Sequence, residues 1–580
     1  MNKNKNAQSG KWNDNSKQFD RKKSGRADKS GTNKSRANKR RGNDNDDRQS
    51  KQFSKNGARG SDSPLSSLND LSWYARNPRL LQAAGSFPFP WRPGMAMPAI
   101  NMASGGKSYD GYFDIPGVMA LTWIPSIGES STSTDPASIA AKEIFGKVRE
   151  KFSGSIEADA PDFIIYLMAL DSIFSAIGSL KRIYRIVGSY APENFIIPEI
   201  LLRAIGLSDA GIENWRSNKM QAYQYINELI AMTGKFMCPA VMDLFNRHYW
   251  MNDNVYTDAA TINSQMYVFT QEWYYKYDLV DTPEGQPAGG LTAAAVDLTS
   301  PTTAYNSVRT LIEALAGSDD AYIISGYLMR AFEGSPIFSV APIELNERFT
   351  PAYVPEVLTQ IENSRVVPWG LKATCSPISQ DPKANALIHQ PQCTPKTFTQ
   401  SGISMPEAAM TLDFRTTNFL SIRSDAPTVA DSVIASRLTC YVHDIEETSD
   451  NVFTAKIVCG TEIPAKWTLW RYQTTDGPDG PERIILSEDV YGAYIVDNRS
   501  GDASQLVTYA GGIPVYGVSH YDWAPFMEVI TLAGAVGGQI TPTVQFLGDI
   551  HNFTMISNAD LKNLHRICVY SEFNAFSLNP

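Results

Sequence analysis

Not one Ile, Leu, Val or Tyr occurs in the first 60 residues, which carry 18 Lys plus Arg against 6 Asp. Such a segment has no apolar face to offset the entropy of ordering, so residues 1–62 are expected to form a disordered basic arm. The whole chain of 580 residues holds 52 basic and 61 acidic side chains. The 520 residues beyond position 60 therefore carry 34 basic and 55 acidic groups, and the overall net charge of −9 describes neither part. The arm is not a secretory signal, which needs an apolar stretch before a small-residue cleavage site. It is not an ordinary transit peptide either, because Asp44, Asp46 and Asp47 interrupt it.

Order is expected to begin at Ser61–Leu65, where the first Leu appears, and to continue through Leu68, Leu71, Trp73 and Tyr74. From Phe87 to Pro136, Pro88, Pro90, Pro93, Pro98, Pro116 and Pro125 remove backbone donors and favour extended geometry. This stretch is expected to wrap along a surface, with short strands such as Val118–Ile124. The middle of the chain reads as helical. Asp162 is placed as the cap of a helix in which Phe163, Leu167, Leu170, Phe174, Ile177, Leu180, Tyr184 and Val187 recur at spacings of three and four. Phe163–Leu180 approaches membrane length, but Asp171 at its middle and Lys181, Arg182 and Arg185 just beyond mark a buried helix, so no membrane span is assigned.

Further helices are expected at 196–205, 219–233, 239–250, 302–316 and 320–333. Between them, Tyr267, Phe269, Trp273, Tyr274, Tyr275 and Tyr277 crowd eleven positions and precede a Pro, Gly and Ala loop over Thr282–Ala295. Beyond residue 435 the apolar period shifts to two, predicting strands at Arg437–His443, Val452–Val458, Trp467–Tyr472, Arg483–Leu486, Tyr491–Val496 and Val515–Tyr521 in an antiparallel module. Helical spacing returns over Asp560–Phe573. The fold class is therefore α+β: a largely helical body over 63–435, an inserted or projecting β-rich domain over 436–545, and a C-terminal helix within 546–580 that rejoins the body.

Motifs that carry chemistry are incomplete. Gly106-Lys107-Ser108 matches the end of a phosphate-binding loop, but Asn101 occupies the first glycine position and no apolar helix follows. Gly517-Val518-Ser519-His520 lacks the second glycine of a nucleophile elbow. Ser318-Asp319-Asp320 resembles a two-metal carboxylate pair, yet it lies between two helices, where Ser and Asp serve as caps. Cys440 and His443 have no second half of a zinc site, and the six dispersed cysteines fit a reducing compartment. His248, beside Tyr249 and Trp250, reads as a hydrogen-bonded core residue. No catalytic residue, metal site or cofactor is assigned.

The arm is the strong physical signal. Its cations cluster at Arg21, Lys22, Lys23, Arg26 and Lys29 and again at Lys34, Arg36, Lys39, Arg40 and Arg41. Such a segment neutralises about a dozen phosphates per copy by counterion release, without reading base sequence. An acidic body repels a polyanion, which favours the arm as a nucleic-acid contact over a solvated linker or a localisation signal.

Several blocks resemble the capsid proteins of picobirnaviruses. They are KRRGN at Lys39–Asn43, LSWYARNPRLL at Leu71–Leu81, IPGVMALTWIPSIG at Ile115–Gly128, APDFIIYLMAL at Ala160–Leu170, the run Asn254–Asp278, SDAPTVADSVIASRLT at Ser424–Thr439, HYDWAP at His520–Pro525 and LKNLHRICVYSEF at Leu561–Phe573. Between Tyr441 and Ser519 little aligns beyond CGTE at Cys459–Glu462. The resemblance implies a non-enzymatic protein of the virion. It would assemble in the host cytoplasm through homodimers into an icosahedral shell around double-stranded RNA. The helical body would form the shell, the β-rich region a projection, and the arm would face the RNA; the viral RNA polymerase is a further partner. The alternatives are a nucleocapsid protein that coats RNA without a closed shell, and an enzyme with a basic targeting arm whose pocket would gather Asp319, Asp320 and other carboxylates around a metal.

Overall fold

The computed structural model describes residues 78–79, 82, 96–97, 102–104, 107–109, 113–190, 196–259, 265–368, 371–395, 417–449, 452–477, 480–498, 507–508, 515–518, 521–533 and 541–574. The chain divides into Met1–Pro88 and Phe89–Pro580. In the first unit Pro78, Arg79 and Gln82 are described, all helical.

The second unit is built around the helix Ala160–Val187, buried along nearly its whole length. A helix apolar on every side must be enclosed on every side. It is long and apolar enough to cross a membrane, with mean hydropathy 1.8 over its best window, yet that window is wholly buried within the protein. Its neighbours are the helices Pro136–Lys151, Lys219–Thr233, Asp243–Asp253 and Pro301–Ala316, together with the strand Tyr274–Asp281. The helix starts three residues earlier than expected: Asp159 is the N-cap, and Asp162 accepts a hydrogen bond from the Asp159 N–H at 2.8 Å. That reciprocal contact satisfies a donor that the first turn cannot.

The proline-rich stretch does not simply wrap a surface. Phe113–Pro125 is one long strand in the middle of the main sheet. It pairs antiparallel with Glu462–Gly477 and parallel with Met266–Gln271, and Glu462–Gly477 pairs in turn with Gly480–Val490. Register irregularities fall between Pro464 and Lys466 and between Trp470 and Arg471, the latter where Arg471 faces Pro116. A proline cannot complete the ladder, so the strand accommodates it at a bulge. Alternation then divides two cores. Val118 and Ala120 join the helical core around Phe163 and Leu167, whereas Met119, Leu121 and Trp123 face a second core with Tyr267, Trp467 and Tyr521. Successive strand side chains point to opposite faces, and here both faces are covered.

The aromatic run forms two strands, Met266–Gln271 and Tyr274–Asp281. Tyr267, Phe269, Tyr274 and Tyr275 are all buried in the molecule's own cores. The loop expected over Thr282–Ala295 is largely the strand Pro287–Ala294, hairpinned back onto Tyr274–Asp281. Its glycines are required by packing: a Cβ on Gly290 would lie 2.7 Å from the Ile378 carbonyl oxygen.

The β-rich region is interleaved with the body. Besides the long strand that it gives to the main sheet, Tyr441–Ser449 and Val452–Val458 form a sheet with Gln392–Pro395 and Leu371–Thr374. The main sheet and this one therefore both cross the expected boundary at 435/436, whereas the sheet of Ala493–Asn498, Val507–Thr508, Met527–Ala533 and Thr541–Leu547 lies wholly beyond it. Nor is the module purely antiparallel, because Ala493–Asn498 and Met527–Ala533 run parallel. Val515–Val518, expected as a strand, is a helical turn. The C-terminal helix, Asn558–Glu572, packs against Pro136–Lys151 and Asp243–Asp253.

Candidate functional site

The arm cations singled out in the sequence, Arg21 to Arg41, lie outside the described residues. The strongest chemistry among the described residues is a buried charge network. The central helix supplies Asp171, the helix Asp243–Asp253 supplies Arg247 and His248, and the first residue of the long strand is Glu462. Arg437 caps the C-terminus of the helix Val429–Ser436, and Glu572 is the last residue of the C-terminal helix.

His248 Nδ1 lies 2.6 Å from Asp171 Oδ2, and its Nε2 lies 3.5 Å from Glu462 Oε1. Arg247 Nε pairs with the same Glu462 oxygen, while its Nη1 donates to Gln360 Oε1 at 2.9 Å. Arg437 bridges Glu462, at 3.4 Å, and Glu572. Thr461 Oγ1 donates to the second Glu572 oxygen at 2.6 Å.

Three carboxylates meet two guanidiniums and one imidazole, so the ionised cluster is neutral only with His248 protonated. Burial by itself would lower His248, but Asp171 and Glu462 raise it to about 9. Burial pushes the Asp171 carboxyl up. It would do the same to Glu462, which Arg247 and Arg437 instead hold well below the usual carboxylate range. The contrast with two other buried histidines isolates the cause. His389 and His565 face backbone carbonyls, and burial lowers both to about 4. Low dielectric disfavours charge unless an opposite charge is in contact.

His248 and Glu462 are both 0% exposed, so no substrate reaches them. What the arrangement does is tie segments from residue 171 to residue 572 into one unit. Arg182 works similarly without a carboxylate. Its guanidinium donates to the carbonyls of Met251 (3.1 Å), Asn254 (3.2 Å) and Phe269 (2.8 Å), capping the end of the helix Asp243–Asp253. Sequence reasoning marked Asp171 and His248 singly and missed their partnership. A charge inside an apolar stretch was the available signal, and Glu462 lies in the short CGTE block.

The other motifs resolve as architecture. Ser318 caps the helix Asp319–Ala331, its Oγ accepting from the Asp320 N–H at 3.2 Å. Lys107–Tyr109 is a strand paired with Met102–Ser104, not the start of a helix. Cys440 is buried, whereas His443 is half-buried beside Asp444. All six cysteines are free thiols. Among the described residues, no group of His, Cys, Asp and Glu is arranged to hold a metal.

Fold and network together define an α+β protein whose buried charges tie its own segments together. The model of the picobirnavirus capsid protein family matches residues 73–456, and the chain belongs to that family. A capsid protein precursor of Human picobirnavirus (strain Human/Thailand/Hy005102/-) is 25% identical over 538 residues, covering 88% of this chain and 91% of that one. The X-ray structure of the picobirnavirus capsid has the same fold, with a TM-score of 0.72 at 19% identity over 88% of this chain and 99% of the other. Membership carries with it a structural role in the shell of a double-stranded RNA virus, the self-association a shell requires, and a place in the virion.

Proposed function

We propose that this protein builds an icosahedral shell from dimers and that residues 1–62 hold the packaged double-stranded RNA electrostatically. The observation that carries this reading is the partition of charge: 18 cations against 6 acids in the first 60 residues, on a chain whose net charge is −9. The contacts would come from Arg21, Lys22, Lys23, Arg26, Lys29, Lys34, Arg36, Lys39, Arg40 and Arg41, each neutralising phosphate without selecting a sequence. A coil of this length would span about 40 to 45 Å and extend to ~200 Å, so an anchored arm would reach well away from its body. Assembly in the host cytoplasm and contact with the viral polymerase belong to the same reading. So does the division into a shell (63–435 with 546–580) and a projection (436–545), with the strand Glu462–Gly477 common to both.

The test is deletion of residues 1–62. Particles are expected to form with the RNA largely gone, read from the ratio of absorbance at 260 and 280 nm and from electron micrographs. Particles with unchanged RNA content would overturn the role of the arm.

A further inference from the structure

Among the described residues, one of the sheet edges without a neighbouring strand belongs to Asn552–Ser557. Asn552–Ser557 pairs antiparallel with Thr417–Ile422 in an unbroken register, Thr417 opposite Ser557 and Ile422 opposite Asn552. Among the described residues nothing pairs with its outer side. Edge strands in soluble proteins are blunted by lysine, proline, a bulge or a covering loop. The sequence NFTMIS has no charge and no proline, and every residue from Asn552 to Met555 is exposed.

The two faces of this small sheet differ. On one, Leu420, Ile422 and Ile556 pack with Ala435 of the helix Val429–Ser436. On the other, the buried ring of Phe419 is flanked by two rings, Phe546 at 5.4 Å and Phe553 at 5.3 Å. Phe553 is 63% exposed, next to Met555 at 52%. A large apolar pair beside an unprotected strand edge marks a contact surface.

We infer that Asn552–Ser557 is an interface between two copies of this chain, paired antiparallel across a two-fold axis. Charge selects the occupant. An uncharged strand meets its own copy without repulsion, and antiparallel pairing with itself is the self-complementary contact that a two-fold axis demands. Asp549 and Asp560, both exposed, flank the strand and repel a polyanion, which disfavours RNA. The acids of the two copies would sit at the rim, where salt screens them. From the family, the inference takes only that copies associate.

The test uses the full-length protein with Phe553→Lys and Met555→Lys together, and a second variant with Phe553→Glu and Met555→Glu. Both positions are exposed, so folding is expected to persist by circular dichroism. Each variant alone should self-associate about 100-fold more weakly in sedimentation velocity, because like charges meet across the axis. An equal mixture of the two should recover association. A photoreactive benzoylphenylalanine at position 553 should crosslink to residues 541–557 of a second copy. Undiminished association in both variants, no recovery in the mixture of folded variants, or crosslinks confined to the same chain or to RNA would overturn the inference and leave the shell role standing. A parent protein that stays monomeric under assembly conditions would overturn both.

Discussion

His248 donates from Nδ1 to Asp171 Oδ2 at 2.6 Å, joining two helices at a point where neither side chain reaches solvent. Around this contact the ends of the network, Glu462 and Glu572, are brought to the same place. The C-terminal helix, the long strand and the helical body are thereby held in one electrostatic unit.

Breaking that unit from one side should be costly. Asp171→Ala leaves His248 and the two arginines with too little negative charge, and Glu572→Ala leaves Arg437 to share Glu462 with Arg247 and His248. Removing one partner of a buried ion pair costs about 3 to 5 kcal/mol, whereas an apolar replacement of the whole set can be nearly neutral. Urea denaturation midpoints check this, and unchanged midpoints in both single variants would contradict the structural role.

The same network should make stability fall on the alkaline side. His248 titrates near 6.5 in the unfolded chain and near 9 in the folded one. Its contribution is full below pH 6.5 and is lost as pH rises toward 9, by ~3 kcal/mol. On the acid side Glu462 has the opposite sign, contributing above its ordinary range near 4.5 and less as pH falls below it. Denaturation midpoints between pH 6 and 9.5 should slope downward in the parent protein and lose most of that slope in His248→Asn.

Arg182 offers a test without a carboxylate partner. Burial lowers its guanidinium to about 10, still charged at neutral pH. Arg182→Ala leaves three carbonyl oxygens unmet and is expected to cost about 3 kcal/mol. Arg182→Lys should recover only part, because one ammonium cannot reproduce the planar fork that spans Met251, Asn254 and Phe269. Thermal midpoints should be highest for the parent, intermediate for Lys and lowest for Ala, and equal midpoints for Lys and Arg would show that charge alone suffices.

Much of the local structure is legible in the sequence. The period of the central helix, the helix over 219–233, the strand Val452–Val458 and the capping role of Ser318 all follow from spacing and residue type within one segment. The misreadings share a different origin. Val118–Ile124 reads as a short strand in a surface wrap, but the strand runs from Phe113 to Pro125 in mid-sheet, because a register shift beside Pro116 lets it continue past a residue that cannot donate. Thr282–Ala295 reads as a loop from its Pro, Gly and Ala, but Pro287–Ala294 becomes a strand because Tyr274–Asp281 pairs with it. Phe553 and Met555, unremarkable in sequence, are two of the apolar side chains that the described residues leave exposed.

Composition along the chain determined the division between a cationic arm and an acidic body, and periodicity determined where helices and strands run, since both depend on residues close together in sequence. Tertiary structure alone decided which charges meet. Asp171, His248, Glu462 and Glu572 are separated by as many as 401 positions, and the energy of a buried ion pair depends on contact distance and desolvation, neither of which is written in any local stretch of the chain.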